Sequence, residues 1–433
     1  MFSDFATFIL SYAGTYISIF IEETWWFLLF IVLFPAARST WLYWRQLLFR
    51  AGNTCVLLEL RIPREVTRGP RGMEQVLRAL HTLRNSPDNI GEKYWDGEVT
   101  RWFSLELVSF GSEVHFYIRC PIKQRGLVEA AFFAYYPDVD IVESEDYMKR
   151  LPEDADELWA NGYEFYGGEL LLSKPGAYPI KTYLDFEVPD EDTQLVDPIS
   201  SFLEVLGKIK REEFVVMQIN IAPAGHEWVE EFEELVEKLQ KRGASSGKAG
   251  DEGSEFTIKS PGQLKVVKAV EEKLARPAFE TLIRIAYIAQ KETYYDTFAR
   301  KGLIGAFSQY GTLDMNGFRT NHKASTRTRI WDWPHIFPTS RRKIRQKRFY
   351  ALLRERELPE EEWAGKLLSS HIFNWNNHSE TIFLTTAELA TIFHPPMHIV
   401  LTAPHIPRVE SRKAGPPAGI PIYGDDSAIE KFT

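Results

Sequence analysis

WFSLELVSFGSEVHFYIRCP, residues 102–121, decides how the body of this chain folds. Residues 102–110 and 114–120 alternate with period two, and Gly111-Ser112 between them is a turn signal, so the stretch predicts a β-hairpin. In its second strand Val114, Phe116, Ile118 and Cys120 share one face, with His115, Tyr117 and Arg119 opposite. Upstream, residues 55–62 form a strand-like run closed by Pro63, and within 72–83 Met73, Val76, Leu77, Leu80 and Leu83 fall on one helical face. Downstream, 127–136 is a second apolar helix and 139–142 a short strand. That β-α-β-β-α-β order predicts a ferredoxin-like unit over residues 51–160.

A related order returns over residues 161–320. Residues 163–172 and 180–188 read as strands, 198–210 as a helix after a cap at Asp197, and 214–221 as a strand with Val215, Met217, Ile219 and Ile221 on one face. Then come a helix over 227–240 with Trp228, Phe232, Leu235, Val236 and Leu239 inward, a strand over 279–288 and a helix over 293–307. KRGASSGKAGDEGS, residues 241–254, is a polar, glycine-rich insertion. The fold class is α+β: an N-terminal transmembrane helix followed by two ferredoxin-like α/β sandwich modules. Because the strands alternate, helices are expected to cover one face of each sheet.

Residues 1–50 predict the membrane anchor. TWWFLLFIVLFPAARSTWLYWRQLLFR, residues 24–50, follows the lone charged interruption Glu22-Glu23. About 20 apolar residues cross a bilayer, so one transmembrane helix is expected over about 24–45. Trp25 and Trp26 mark one interface and Trp41 and Trp44 the other. Residues 5–21 are a candidate second crossing. Arg38 falls inside the apolar window, and with Arg45, Arg50, Arg61 and Arg64 following the span, the positive-inside rule puts the body in the cytosol.

The 433 residues hold two cysteines, which excludes a disulfide scaffold, and the net charge of −9 argues against nucleic-acid binding through bulk charge. Residues 243–248, GASSGK, are one residue too short between glycine and the Gly-Lys pair for a phosphate loop, and Ala249 follows where Ser or Thr is needed. Among His394, His398 and His405 the first two are four apart, but Pro395 and Pro396 prevent one shared helical face. The acidic run 143–157 lacks the glycine and spacing of a calcium loop. No HExxH occurs. The expectation is a chain without catalytic, cofactor-binding or metal-binding residues, and not an enzyme.

Residues 321–382 read as a basic helical segment. RRKIRQKRFYALLRER, residues 341–356, carries eight basic residues against one acidic one, Glu355. Arg341, Arg342, Lys343, Arg345, Lys347 and Arg348 form a candidate patch for an anionic partner: DNA phosphate, anionic lipid or an acidic protein surface.

FLTTAELATIFHPP (383–396) followed by PHIPRVESRKAGPPAGIP (404–421), within a predicted C-terminal helix and Pro/Gly-rich tail over 383–433, resembles a segment of the membrane-anchored conjugative-transfer proteins of bacterial type IV secretion systems. In those proteins the elements LNTEELATLWHFP and ARKAEPPxNLP occur in this order just before the ATPase domain. Here Thr385 stands for the usual Asn, and Pro395-Pro396 for Phe-Pro. Residues 102–121, 198–223, 282–292 and 304–318 are similar as well, in the same order. The resemblance implies that a motor should follow residue 421, and twelve residues remain, so the expectation is a motor on another polypeptide. It further implies an uncharacterised-domain relative of the pre-motor region at the bacterial inner membrane that docks a cytosolic ATPase, with other copies of itself as a further candidate partner. The alternative is a membrane-tethered nucleic-acid-binding module using residues 319–356.

Overall fold

The computed structural model describes residues 2–63, 66, 68–186, 197–241, 261–328, 335–360, 362–368, 370, 374 and 377–397. Two units interleave along the chain. Unit 1 gathers Met1–Thr54, Asn85–Thr100 and Pro359–Asn377; unit 2 gathers Cys55–Arg84, Arg101–Leu358 and His378–Thr433.

Unit 2 is built on one sheet. Its strands are β1 Cys55–Arg61, β2 Phe103–Phe110, β3 Glu113–Pro121, β4 Asp140–Ser144, β5 Tyr163–Leu172, β6 Phe214–Pro223, β7 Ala278–Gln290, β8 Phe318–Asn321 and β9 Ile382–Thr385. They lie in the order β4-β1-β3-β2-β6-β7-β5-β8, with β9 beside β7, and every pairing is antiparallel. The helix Pro70–His81 carries the chain from β1 to β2, and Arg125–Tyr135 from β3 to β4. In the second half Ser200–Gly207 lies between β5 and β6, and Asp296–Ser308 between β7 and β8. The two halves repeat one strand order in mirror image, and β2 and β6 join them in register from Phe103↔Ile221 to Phe110↔Phe214.

This corrects the expectation of separate sheets with one covered face each. A single sheet runs through, and β2, β6 and β7 are buried almost along their whole length on both sides. Alternation along these strands separates two kinds of buried residue rather than buried from wet. On one side the crossover helices bury Val76, Leu77, Phe132, Phe202, Leu206, Leu303 and Phe307 against Leu105, Met217, Ile219 and Ile283, each such side chain contributing about 1.5–3 kcal/mol. On the other, Phe349, Tyr350 and Leu353 of the helix Pro338–Glu355 pack with Tyr147, Leu158, Val108, Val216 and Ala286.

The strand expected over 180–188 does not form in its described part. Thr182 donates its N–H to Asp185 Oδ2 at 2.8 Å, a local bond that turns the chain into the short helix Tyr183–Phe186. Of the insertion 241–254 only Lys241 lies within the described residues; His398, His405 and residues 404–421 lie outside them.

Unit 1 centres on a helical rod, Phe2–Gly52, which passes through Pro35 without a break. The candidate second crossing at 5–21 falls within this continuous helix. Its segment Glu22–Gly52 is long and apolar enough to span a membrane, and Phe27, Phe30, Ile31, Val32, Leu33 and Phe34 are all exposed on it. Near its C-terminal end Ser39 Oγ donates to Glu362 Oε2 at 3.0 Å and accepts Ala364 N–H at 3.1 Å, while Arg50 pairs with Glu360 at 2.6 Å. These contacts hold the short helix Trp363–Leu368 on one side of the rod.

Candidate functional site

The basic segment folds as the 18-residue helix Pro338–Glu355, and it lies on a row of polar residues crossing the sheet. Strand register places Glu59, Tyr117, Glu106, Gln218, Arg284, Glu169 and Asn321 side by side across β1, β3, β2, β6, β7, β5 and β8. Directly paired residues of an antiparallel sheet share a face, so the row forms one polar stripe. Glu106, Gln218 and Arg284 are completely buried, and Glu169 is 1% exposed.

The helix ends on this stripe. The last carbonyls of a helix have no partner within it and carry its negative dipole end. Gln218 Nε2 donates to Leu353 O at 2.9 Å, and Arg284 Nη1 to Leu352 O at 3.2 Å and Glu357 O at 2.6 Å. The sheet thus supplies the cap, and one donor is a cation where the dipole favours one. Just beyond, Arg356 adopts the left-handed conformation at φ 57° and reaches back. Its guanidinium forks Glu106 at 2.7 and 3.3 Å and Asp146 at 2.7 and 2.9 Å. Ser104 Oγ and Tyr147 Oη also donate to Glu106, at 2.6 and 2.5 Å. Arg356 O accepts from Asn220 at 3.1 Å and Trp102 at 2.8 Å.

The two arginines titrate in opposite senses. Burial disfavours the Arg356 charge, but Glu106 and Asp146 outweigh it and hold the guanidinium well above its ordinary range. Asp146 is pushed up by burial and pulled further down by its bonds to Arg356 and Met148 N–H, ending below the usual carboxylate value. Arg284 pairs with Glu169 at 3.2 Å, and Glu357 adds a weaker attraction. There burial wins on both sides, lowering the arginine and raising Glu169, as expected where desolvation exceeds the pairing energy.

The predicted anionic-partner residues divide between the buried and outer sides of this helix. Arg341 is fully buried and Arg345 is 4% exposed, with Arg345 Nη1 donating to Ser325 O at 3.2 Å. Burial lowers the Arg348 pKa, partly offset by Glu169. Arg342 pairs with Glu164 at 3.2 Å, Lys347 with Asp156, and Lys343 lies 5.5 Å from the Trp159 ring centre. Lys343 and Lys347 stay exposed. The segment spends most of its charge on the protein itself. Trp25, Trp26, Trp41 and Trp44 all stand exposed on the rod of unit 1, at 42–61%.

Residues 383–396 are tied down just as closely. The buried Lys273 Nζ donates to Glu388 Oε1 at 3.0 Å and Phe383 O at 3.1 Å, and Glu388 closes a capping box with Thr385 at the start of the helix Thr386–Ile392. His394 is fully buried, with Nε2 2.7 Å from Asp197 Oδ1 and Nδ1 2.8 Å from Ala390 O. Its two ring nitrogens are therefore committed. Among the described residues no group of His, Cys, Asp and Glu is arranged to hold a metal ion.

Sequence reasoning missed the polar stripe. Its signal was a polar residue near the middle of successive apolar strands, at matched positions of one face: Glu106 in FSLELVSF, Gln218 in FVVMQINIAP, Arg284 in AFETLIRIAYIAQ and Glu169 in YEFYGGELLL.

No curated protein matches this chain. A family described as a domain of unknown function, DUF8128, matches residues 46–405. That span takes in the end of the rod, the polar stripe, the arginine helix and the His394–Asp197 pair, and the chain belongs to the DUF8128 family.

Proposed function

We propose that this chain is a non-enzymatic scaffold, anchored in the bacterial inner membrane by its N-terminal rod, that docks a cytosolic motor ATPase in a type IV secretion or conjugation-like system. The observation carrying it is the rod: an exposed apolar helix, Glu22–Gly52, on a chain whose folded body commits its buried charges to internal pairs. The order β4-β1-β3-β2 with two crossover helices, and its mirror β6-β7-β5-β8, support reading each half of unit 2 as a ferredoxin-like module. The resemblance of residues 383–396 to the segment preceding the motor in conjugative-transfer proteins supports the choice of partner. At the two ends of the sheet β4 and β8 offer edges to which a motor or a second copy could add a strand.

The test is co-purification. The full chain, extracted in detergent, should retain a motor ATPase of such a system and hydrolyse no ATP alone. Motor-like hydrolysis by the purified chain would overturn the reading. The nucleic-acid alternative has less charge to work with, because Arg341, Arg345 and Arg356 are buried. Reversing the exposed Lys343 and Lys347 should leave retention on DNA at low salt unchanged; a loss would favour the alternative.

A further inference from the structure

Residues 85–100 return to the rod far from it in sequence. The turn Glu92–Asp96 packs beside the rod. Trp41 Nε1 donates to Tyr94 O at 2.7 Å, Arg38 Nη1 to Tyr94 Oη at 3.1 Å, and the Trp41 and Trp95 rings lie 6.0 Å apart. Gly97 makes the approach possible: its φ of 69° suits glycine, and a Cβ there would overlap the Arg45 carbonyl. Trp95 is 70% exposed beside Trp41, and Ile90, just before the turn, is 78% exposed. With Trp41 and Trp44, Trp95 makes a contiguous cluster of exposed aromatics, the kind of patch that marks an interaction site.

We propose that this turn is a second membrane contact, with Trp95 and Ile90 seated in the interfacial layer of the bilayer that the rod enters. Its partner is a phospholipid surface carrying anionic headgroups. The inference rests on the anchor reading and extends it to a segment that hydropathy does not mark. Three observations choose lipid as the occupant. The first is level: Trp26 and Trp44 lie about 27 Å apart along the rod at 1.5 Å per residue, close to a hydrocarbon thickness of about 30 Å. Trp95 stands at the Trp41–Trp44 end, where aromatic side chains collect. The second is charge. Arg38 lies 5.8 Å and Lys93 6.0 Å from the Tyr94 ring centre, and Arg45 lies 5.8 Å from that of Trp44, which places three cations at this level. Glu92 accepts from Asp88 N–H and Asn89, and Glu98 accepts from Asn85, while Asp88 and Asp96 are the exposed acidic residues of the segment. The third is Arg38 itself. Within the apolar window it would be expensive, and its bond to Tyr94 Oη turns the charge toward this polar turn, as an interfacial arginine would need.

The test uses the full chain in vesicles of phosphatidylcholine with and without phosphatidylglycerol. Trp95→Cys, in a Cys55→Ser, Cys120→Ala background, is labelled with bimane. The expected result is a blue-shifted emission, loss of iodide quenching, and stronger quenching by lipids brominated near the acyl carboxyl than by those brominated deep, all more pronounced with phosphatidylglycerol. Gly97→Ala should abolish the protection while the protein stays resistant to alkaline carbonate. A label that remains open to iodide on carbonate-resistant protein overturns this proposal and leaves the anchor standing. Extraction by carbonate overturns both.

Discussion

Across one face of the sheet Leu58, Ile118, Leu105, Ile219, Ile283 and Leu170 stand in register, all buried. One residue along each strand, on the other face, stand Glu59, Tyr117, Glu106, Gln218, Arg284 and Glu169. Both rows lie under helices, but the physics differs. Apolar burial is non-directional, so the first row stabilises its helices wherever they fit. In the second row each donor and acceptor has to be aimed, and a missing partner costs more than the pair contributes. The apolar face therefore supplies most of the stability, and the polar face fixes where one helix ends.

The sharpest break of that contrast is Arg284→Met. It leaves Glu169 buried with Ser379 as its remaining bond and strips the donor from Leu352 O and Glu357 O. A loss of about 3–5 kcal/mol is expected, read by guanidinium unfolding of the detergent-solubilised chain through tryptophan emission. Adding Glu169→Leu should recover most of it, because apolar side chains of similar volume replace a buried pair at little cost. A double variant as unstable as the single one would show that aim, not desolvation, dominates.

On the apolar face Ile219→Ala should cost about 2–5 kcal/mol through lost burial and the cavity left behind. No second substitution within its row should rescue it without refilling that volume. Smaller again is Gly167→Ala. The next row on the polar face is Val108, Val216, Ala286 and Gly167, and the Phe349 ring lies where a Gly167 Cβ would sit. Overpacking there should cost about 1–3 kcal/mol. Phe349→Ala in the same chain should relieve the clash; if the two losses simply add, Gly167 is not what seats the helix.

These experiments bear on residues of unequal legibility. The strands over 102–121, 163–172, 214–221 and 279–288 could be read because each alternates over enough residues to outweigh local signals. The polar row could not, since membership depends on which residue of β6 faces which residue of β7, a matter of register rather than of either sequence. The arginine helix was legible as a helix but not as a buried one: arginine is rarely buried, and composition alone suggests a wet surface. What places Arg341 and Arg345 inside is Phe349, Tyr350 and Leu353 on the same helix, and just beyond it Arg356 is held by Glu106 and Asp146. The joining of the halves through β2 and β6 was hidden for the same reason, as two strands about a hundred residues apart announce no partnership.

Acid should separate the faces next. Asp146 is held below the usual carboxylate range, burial raising it and Arg356 lowering it by more. A carboxylate depressed on folding contributes stability above its unfolded pKa and loses it as pH falls through the folded value. The chain should weaken as pH drops below about 4, the ordinary range for aspartate, and Asp146→Asn should flatten that decline. Ile219→Ala should leave its slope unchanged. Parallel curves for Asp146→Asn and the unaltered chain would remove Asp146 from the acid response.

The smallest effect belongs to the outer side of the same helix. Lys347 pairs with Asp156 where both are half exposed, and Lys343 lies over Trp159 in contact with solvent. Exposed pairs contribute about 0–1 kcal/mol and are screened by salt. Lys343→Ala and Lys347→Ala should each stay within that range and converge on the unaltered chain as salt is raised. One helix would then carry both regimes, with arginines that cannot be removed along one side and lysines that can along the other. A loss at Lys347 as large as that at Arg284 would instead mean that the outer side is covered by something, and the motor proposed to dock on this body would be the first candidate to place there.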